Sequence, residues 1–311
     1  MRRREDYEIL YDLPEGEYAD GGVGAIRTKT VRAGEVLDIA CYPVTKLGEA
    51  GQRELARRRS SPAMARANRE RARRRVFHLL EANFGEEDYH VTLTWDYGFV
   101  NRGEVNLNDV RAEYDRLGEP LDDEDVKRAF GNFCRRVRRA MQRRGGDAGE
   151  FKYLYVVEST HEPRDGEARP LPAHYHLHVA LRAPGLSRDE IEGLWGHGHV
   201  NADRLSMQYN GLEALAKYMT KQTRMESWSG DRRTARRWGC SRNLAEPVEK
   251  ISDRKISRRR AARIAADVRQ FGREILEKLY PGYRCVEDPV VRYSDFVAGA
   301  YIRALLRRRR E

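Results

Sequence analysis

Cysteine is scarce in this chain. Only Cys41, Cys134, Cys240 and Cys285 occur, widely scattered and without a Cys-x-x-Cys spacing, which argues against a zinc ribbon and against a disulfide framework and leaves reduced thiols as the expectation. Long apolar runs are missing too: no stretch approaches the roughly 20 residues that a membrane span needs, so no membrane partner is expected. The first residues, Met1 to Tyr7, contain three arginines and no hydrophobic signal segment, so a cytoplasmic location is expected. No Walker A pattern occurs anywhere, and an attached helicase domain is therefore not expected.

What the chain does have is charge. Of its 311 residues 40% are hydrophobic and 35% charged, enough for a soluble protein with a sizeable core, as one large domain or a domain with appendages. The formal net charge of +10 and a pI near 9.5 point to a polyanion as partner, because Lys and Arg clusters gain by releasing counterions condensed on nucleic-acid phosphates. Arginine carries the excess, in runs at 57–59, 73–75, 135–136, 138–139, 258–260 and 307–310. A single run is as readily a solvated helix face; several on one chain favour nucleic acid.

Against eight histidines in all, three fall at every second position, His174, His176 and His178. A β-strand sends alternate side chains to one face, so the three imidazoles form a row of potential metal ligands. Same-face neighbours stand about 6.6 Å apart at the backbone and can converge on one ion at roughly 2.1 Å, whereas the outer pair is about 13 Å apart. One ion therefore takes two of the three, and His176 belongs to either pair. A lone histidine in a strand is more often a satisfied core group; three in register reverse that balance.

Around this row the chain divides into recognisable elements. Val36 to Tyr42 has strand character. Ser61 followed by Pro62 suits a helix start, and Met64 to Phe84 reads as a basic helix ending at Gly85. Tyr89-His90-Val91-Thr92-Leu93-Thr94-Trp95 alternates like a strand, and residues 99–121 read as a loop. Asp122 to Asp125 then opens an amphipathic helix with a stripe of Val126, Phe130, Phe133, Val137 and Met141, ended by Gly145-Gly146. A second strand, Phe151 to Ser159, passes through a Pro- and Gly-rich connection to the histidine strand, which predicts a hairpin with Glu158 beside the histidines. Glu158 would complete a two-His, one-carboxylate site, though it is equally readable as an ordinary strand-end acid. Ser187 caps a short helix through Trp195, and the glycines around His197 and His199 mark a turn rather than a second ligand pair. Residues 252–280 read as one basic helix with a stripe of Ile264, Val268, Phe271, Ile275 and Leu279.

On the predicted helix 212–221, Tyr218 and Lys221 are three apart and share a face. A tyrosine hydroxyl can attack a phosphodiester once its proton is removed, and an ammonium can neutralise charge on that phosphate. Alone, Tyr-x-x-Lys is usually structural; its weight rises about forty residues downstream of a metal-ligand strand in a basic protein. Tyr209 is the rival nucleophile.

The succession Val91-Thr92-Leu93-Thr94-Trp95, then Glu158, then His-hydrophobic-His within 174–178, then Lys217-Tyr218-Met219-Thr220-Lys221 resembles the ordered motifs of HUH endonucleases. It is most similar to the rolling-circle replication initiators of phages and plasmids, since conjugative relaxases carry the tyrosine upstream of the histidines. The resemblance spans roughly residues 60–225. It implies an α+β fold, with a central antiparallel β-sheet of the HUH palm type backed by helices and with basic helical extensions. The corresponding organisation is an N-terminal extension over 1–60, an endonuclease domain over 61–225 and a basic helical region over 226–311.

The resemblance further implies metal-dependent, sequence-specific nicking of single-stranded origin DNA through a covalent 5′-phosphotyrosine, with rejoining. Tyr218 is then the nucleophile and Lys221 its cationic partner, while His176, His178 and Glu158 hold Mg²⁺ or Mn²⁺, with His174 as the alternate ligand. Lys217, Arg135, Arg136, Arg73 and Arg74 are the expected DNA contacts. Implied partners are an origin hairpin and the helicase and DNA polymerase of a bacterial host, in whose cytoplasm the chain would act. A REP-type transposase would share this chemistry. A metal-dependent nuclease that activates water, with Tyr218 merely packing, and a non-enzymatic basic nucleic-acid-binding protein are the readings of other classes.

Overall fold

The computed structural model describes residues 25–44, 62–95, 123–160, 174–207, 210–220, 238–294 and 297–309. Among the described residues no helix is long and apolar enough to cross a membrane. The chain forms two compact units, each with its own sheet. One comprises 83–207 and 217–244, the other 1–82, 208–216 and 245–311.

In the first unit, alternation along the strands decides which face is buried. The strand β3 (Tyr89–Thr94) buries Tyr89, Val91 and Leu93 and leaves His90, Thr92 and Thr94 half-buried. It joins β4 (Lys152–Thr160), β5 (His174–Arg182), β6 (Val200–Arg204) and β7 (Trp238–Cys240) in an antiparallel sheet of order β6-β3-β5-β4-β7. The histidine strand β5 is thus central, and β4–β5 is the expected hairpin. Helix α2 (Asp123–Arg143) presents Val126, Phe130, Phe133, Val137 and Met141 to a core shared with Val91, Leu93, Leu177, Val179 and Val200. Each such side chain taken fully out of water contributes about 1.5–3 kcal/mol, so the stripe alone accounts for the docking of α2. After β5, Ser187 and Glu190 form a capping box that starts α3 (Arg188–Gly193).

The second unit departs from the expected organisation. Residues 25–44, expected within an extension, form the hairpin of β1 (Ala25–Ala33) and β2 (Val36–Val44). The C-terminal region is not simply helical: β8 (Val248–Ser252), β9 (Tyr283–Cys285), β10 (Val290–Ser294) and β11 (Val297–Arg308) join that hairpin in the order β10-β11-β2-β1-β8, with β9 also on β11. The reason lies in period-two alternation along β11, where Ile302, Ala304 and Leu306 are buried and Arg303, Leu305 and Arg307 less so. The expected single helix over 252–280 is likewise broken, into α5 (Arg258–Ala266), a π turn at Val268–Gly272 and α6 (Arg273–Leu279). Asp267 turns out of helical conformation and its carboxylate accepts the Arg269 and Gln270 amides, starting a new helical segment. The shift in register makes Leu276 the buried residue, with Ile275 and Leu279 only partly covered.

At the β1–β2 turn, Gly34 has φ +53°, as the first central residue of a type II′ hairpin requires. A Cβ there would collide with the Glu81 carbonyl oxygen, so helix α1 (Pro62–Asn83) can approach the turn only at a glycine.

Helix α1 also meets the unit's buried charges. Asp38 accepts from Arg303 through both carboxylate oxygens at 3.2 Å and lies 2.9 Å from His78 Nε2. Burial opposes ionisation of Asp38, but the Arg303 guanidinium and the His78 imidazole outweigh it and hold the carboxyl well below the usual carboxylate range. A depressed native pKa means stability that is fully present above the unfolded value, near 3.9 for Asp, and lost as pH falls through the native one. Asp38→Asn should therefore cost about 3–5 kcal/mol at pH 7, because Arg303 is left buried and unpaired. The gap from wild type, measured by urea denaturation, should narrow below about pH 4.

Candidate active site

The sheet face opposite the α2 core carries the polar groups. Because Val91, Leu93, Val157, Leu177 and Val179 turn inward, the residues between them turn to the other side. Register then sets the rows: Thr94, His176 and Glu158 lie side by side on β3, β5 and β4, and Thr92, His178 and Val156 form the next row. On β6, Asn201 lies opposite Thr92 and Asp203 opposite His90.

His178 is 4% exposed, and both its ring nitrogens have partners. Nε2 lies 2.9 Å from Glu158 Oε2 and Nδ1 lies 3.4 Å from Thr92 Oγ1. Glu158 reaches it diagonally, since the residue directly opposite Glu158 is His176; long side chains span such diagonals in antiparallel pairs. His176 is half-buried on the same face.

Tyr218 comes from helix α4 (Glu213–Met219). Leu212, Ala216 and Met219 are buried there at helical spacing, which turns Lys217 and Tyr218 outward. The helix start is held by Glu81, whose carboxylate accepts the Leu212 amide, a favourable place for an acid. Tyr218 is 52% exposed, yet its ring lies edge-on to His178 at 4.8 Å between centroids.

His90 completes the cluster and was not singled out from the sequence. Its ring stacks on His178 at 5.8 Å and meets Tyr218 edge-on at 5.9 Å. Burial, and secondly the neighbouring His178, lower its pKa to about 4, so the ring is neutral at neutral pH. Its Nε2 is buried without a hydrogen-bond partner. The signal for it was present: His90 shares the strand period of Thr92 and Thr94, the residues that alternate with the apolar set.

The donor set of Glu158, His178 and His176 suits a divalent cation, since two ligands of one ion at roughly 2.1 Å stand about 3 Å apart. The 2.9 Å between Glu158 and His178 meets that separation. Among the described residues, no three His, Cys, Asp or Glu side chains already converge as a metal-holding group.

Other expected site residues lie elsewhere. Arg135 and Arg136 are on α2, which packs against the opposite sheet face, so they do not join the histidine row. Arg136 donates instead to the Leu194 and Trp195 carbonyls, at 2.6 and 2.5 Å, and Arg135 bonds Asn132. These bonds make Arg136 a tie between α2 and the end of α3. Arg73 and Arg74 belong to the other unit, where both pair with Glu70. Lys217 stands exposed beside Tyr218. His174 opens β5 opposite Thr160; its side chain, like Lys221 and Tyr209, lies outside the described residues. His197 and His199 sit in a turn, the first against Trp195 at 5.0 Å and the second holding Thr94 through its carbonyl.

No curated protein and no solved structure matches the chain. A family model does: residues 88–223 match the replication-associated protein family of the ORF2 type. The matched span begins just before β3 and takes in Glu158, the histidine strand and Tyr218, the residues whose geometry is described above. The stretch 88–223 of this chain therefore belongs to the ORF2-type replication-associated protein family.

Proposed function

We propose that the protein is a rolling-circle replication initiator that nicks single-stranded origin DNA through Tyr218. The observation that carries this reading is the exposed Tyr218 ring at 4.8 Å from His178, itself bonded to Glu158. A tyrosine that served only packing would have its ring covered. Here the ring leans on the ligand row and stays open to a strand.

In the proposed reaction the Tyr218 hydroxyl oxygen attacks the scissile phosphorus and the bond from phosphorus to the 3′ oxygen breaks. The phenolic proton ends, through water, on the departing 3′ oxygen. The 5′ phosphate stays on Tyr218 and the free 3′-hydroxyl is a primer. Attack by a 3′-hydroxyl on the phosphotyrosine reverses the step and rejoins the strand. A phenol is a weak nucleophile at neutral pH, so positive charge at the phosphate matters. His176, His178 and Glu158 would hold Mg²⁺ or Mn²⁺, which supplies Lewis-acid polarisation of that phosphate. Thr92 fixes the His178 ring by its hydrogen bond, and Lys217 stands on the same helix to meet the DNA backbone. An origin hairpin is the substrate this chemistry suits, with strand separation and synthesis left to the host's helicase and polymerase.

The test is covalent capture. Wild-type protein incubated with Mn²⁺ and single strands from the neighbouring origin should give a protein–DNA adduct that survives denaturation and disappears with chelator. Absence of any adduct across the origin sequence would overturn the reading.

His90 supplies a narrower test. His90→Ala removes the ring that buttresses both His178 and Tyr218, and misplacement on the order of 1 Å can cost about 10²-fold in rate. Single-turnover nicking should slow by roughly that factor with DNA affinity little changed, whereas His90→Phe, which keeps a ring, should recover most of the rate.

A further inference from the structure

The second unit contains a cavity of about 290 Å³ between helix α1 and the face of β1, β2 and β8. Strand register places Lys29, Val31, Asp38, Ala40 and Glu249 on that face, and α1 supplies Arg71, Arg74, Arg75 and His78. The sheet's other face is apolar, with Leu37, Ile39, Cys41, Ile302 and Ala304 in the core. This is therefore a polar chamber on one side of a sheet whose hydrophobic face is satisfied elsewhere.

Its charge is unbalanced. Four cations, Lys29, Arg71, Arg74 and Arg75, line it against two carboxylates, Asp38 and Glu249. Asp38 is answered by Arg303 and His78 at the floor, Lys29 lies 3.4 Å from Glu249, and Arg75 reaches Glu246. Adding the outer groups that touch the lining, Glu70 and Glu246 with Arg73 and Arg303, still leaves six cations against four carboxylates. Lys29 and Arg75 have partly exposed side chains, at 27% and 42%, so positive charge is available to an entering group. A cavity at the lower end of ligand-site volumes, roughly 300–1,000 Å³, accommodates a phosphate and little more than its sugar.

We infer that this cavity binds a phosphate group, carried either by a DNA strand or by a free nucleotide. Guanidinium and ammonium groups around a semi-enclosed space recognise phosphate by charge-assisted hydrogen bonds. The site is independent of Tyr218 and the histidine row.

The test uses the full chain in chelator, where nicking chemistry is silent, and a fluorescent 20-nucleotide single strand without origin sequence. The Lys29→Gln/Arg75→Gln variant should bind about tenfold more weakly at moderate salt, with a log Kd against log salt slope shallower by roughly 0.7 for each lost contact. The control Arg259→Gln/Arg260→Gln removes equal charge from exposed positions on α5 and should change affinity less than twofold. The charge-keeping Lys29→Arg/Arg75→Lys variant should bind like wild type, which separates lost charge from lost fold. Deoxyadenosine triphosphate that displaces the strand from wild type assigns the phosphate to a free nucleotide; failure to displace it at millimolar concentration assigns it to the strand. Equal weakening by the cavity and control variants, or no weakening by either, overturns the inference.

Discussion

Tyr218→Phe should abolish the covalent DNA adduct while leaving a folded protein that binds single-stranded origin DNA as wild type does. The substitution removes one oxygen and keeps the ring that packs edge-on against His178 and His90. Tyr218 is 52% exposed, so its hydroxyl carries little of the fold's stability and the thermal midpoint should barely move. Loss of a covalent nucleophile commonly costs several orders of magnitude in rate, and cleavage should fall by more than about 10³-fold. Denaturing gels with labelled DNA measure both adduct and nick. Retention of the adduct in Tyr218→Phe would reassign the nucleophile, with Tyr209 the first residue to examine. Nicking that persists without any adduct would indicate attack by water instead.

Glu158→Gln should separate metal binding from strand binding. The amide keeps the size of the carboxylate and can still meet His178 across the 2.9 Å contact, but it is a much poorer ligand for a hard divalent cation. Removing a ligand should exceed the 10–100-fold losses typical of groups that merely orient ligands. Nicking at fixed Mn²⁺ should therefore drop by at least about 10²-fold and recover in part at higher Mn²⁺. DNA affinity in chelator should be unchanged. His178→Ala should lose activity at least as severely, and because His178 is buried and bonded to both Glu158 and Thr92, it should also lower the thermal midpoint. If Glu158→Gln nicked at the wild-type rate with the same Mn²⁺ dependence, the ligand role of Glu158 would be wrong.

The local chemistry of these elements was legible in the chain because strands and helices impose short periods. Alternation placed His176 and His178 on one face, the hairpin signals placed Glu158 next to them, and the stripe from Val126 to Met141 is the face that α2 buries. Ser187 with Glu190 marked the start of α3. His90 escaped notice because a single histidine in a strand carries no signal until the register shows what stands beside it. The basic runs misled for a related reason. Arginine content reports charge without direction, and Arg136 spends its guanidinium on backbone carbonyls behind the sheet.

The N- and C-terminal regions were misjudged most. β2 pairs with β11 across more than 250 residues, Cys41 facing Ile302 and Asp38 facing Leu305, and no local period announces a partner at that separation. Sequence by itself determined the faces: which side chains of β3, β4 and β5 turn together, and which histidines are near enough to share an ion. Only the tertiary structure decided that Glu158 bonds His178 across the diagonal, that Tyr218 rests on that imidazole with His90 beneath both, and that the two ends of the chain share a sheet. Side-chain direction follows from backbone geometry over a few residues, whereas those contacts depend on which distant segments bury their apolar faces together.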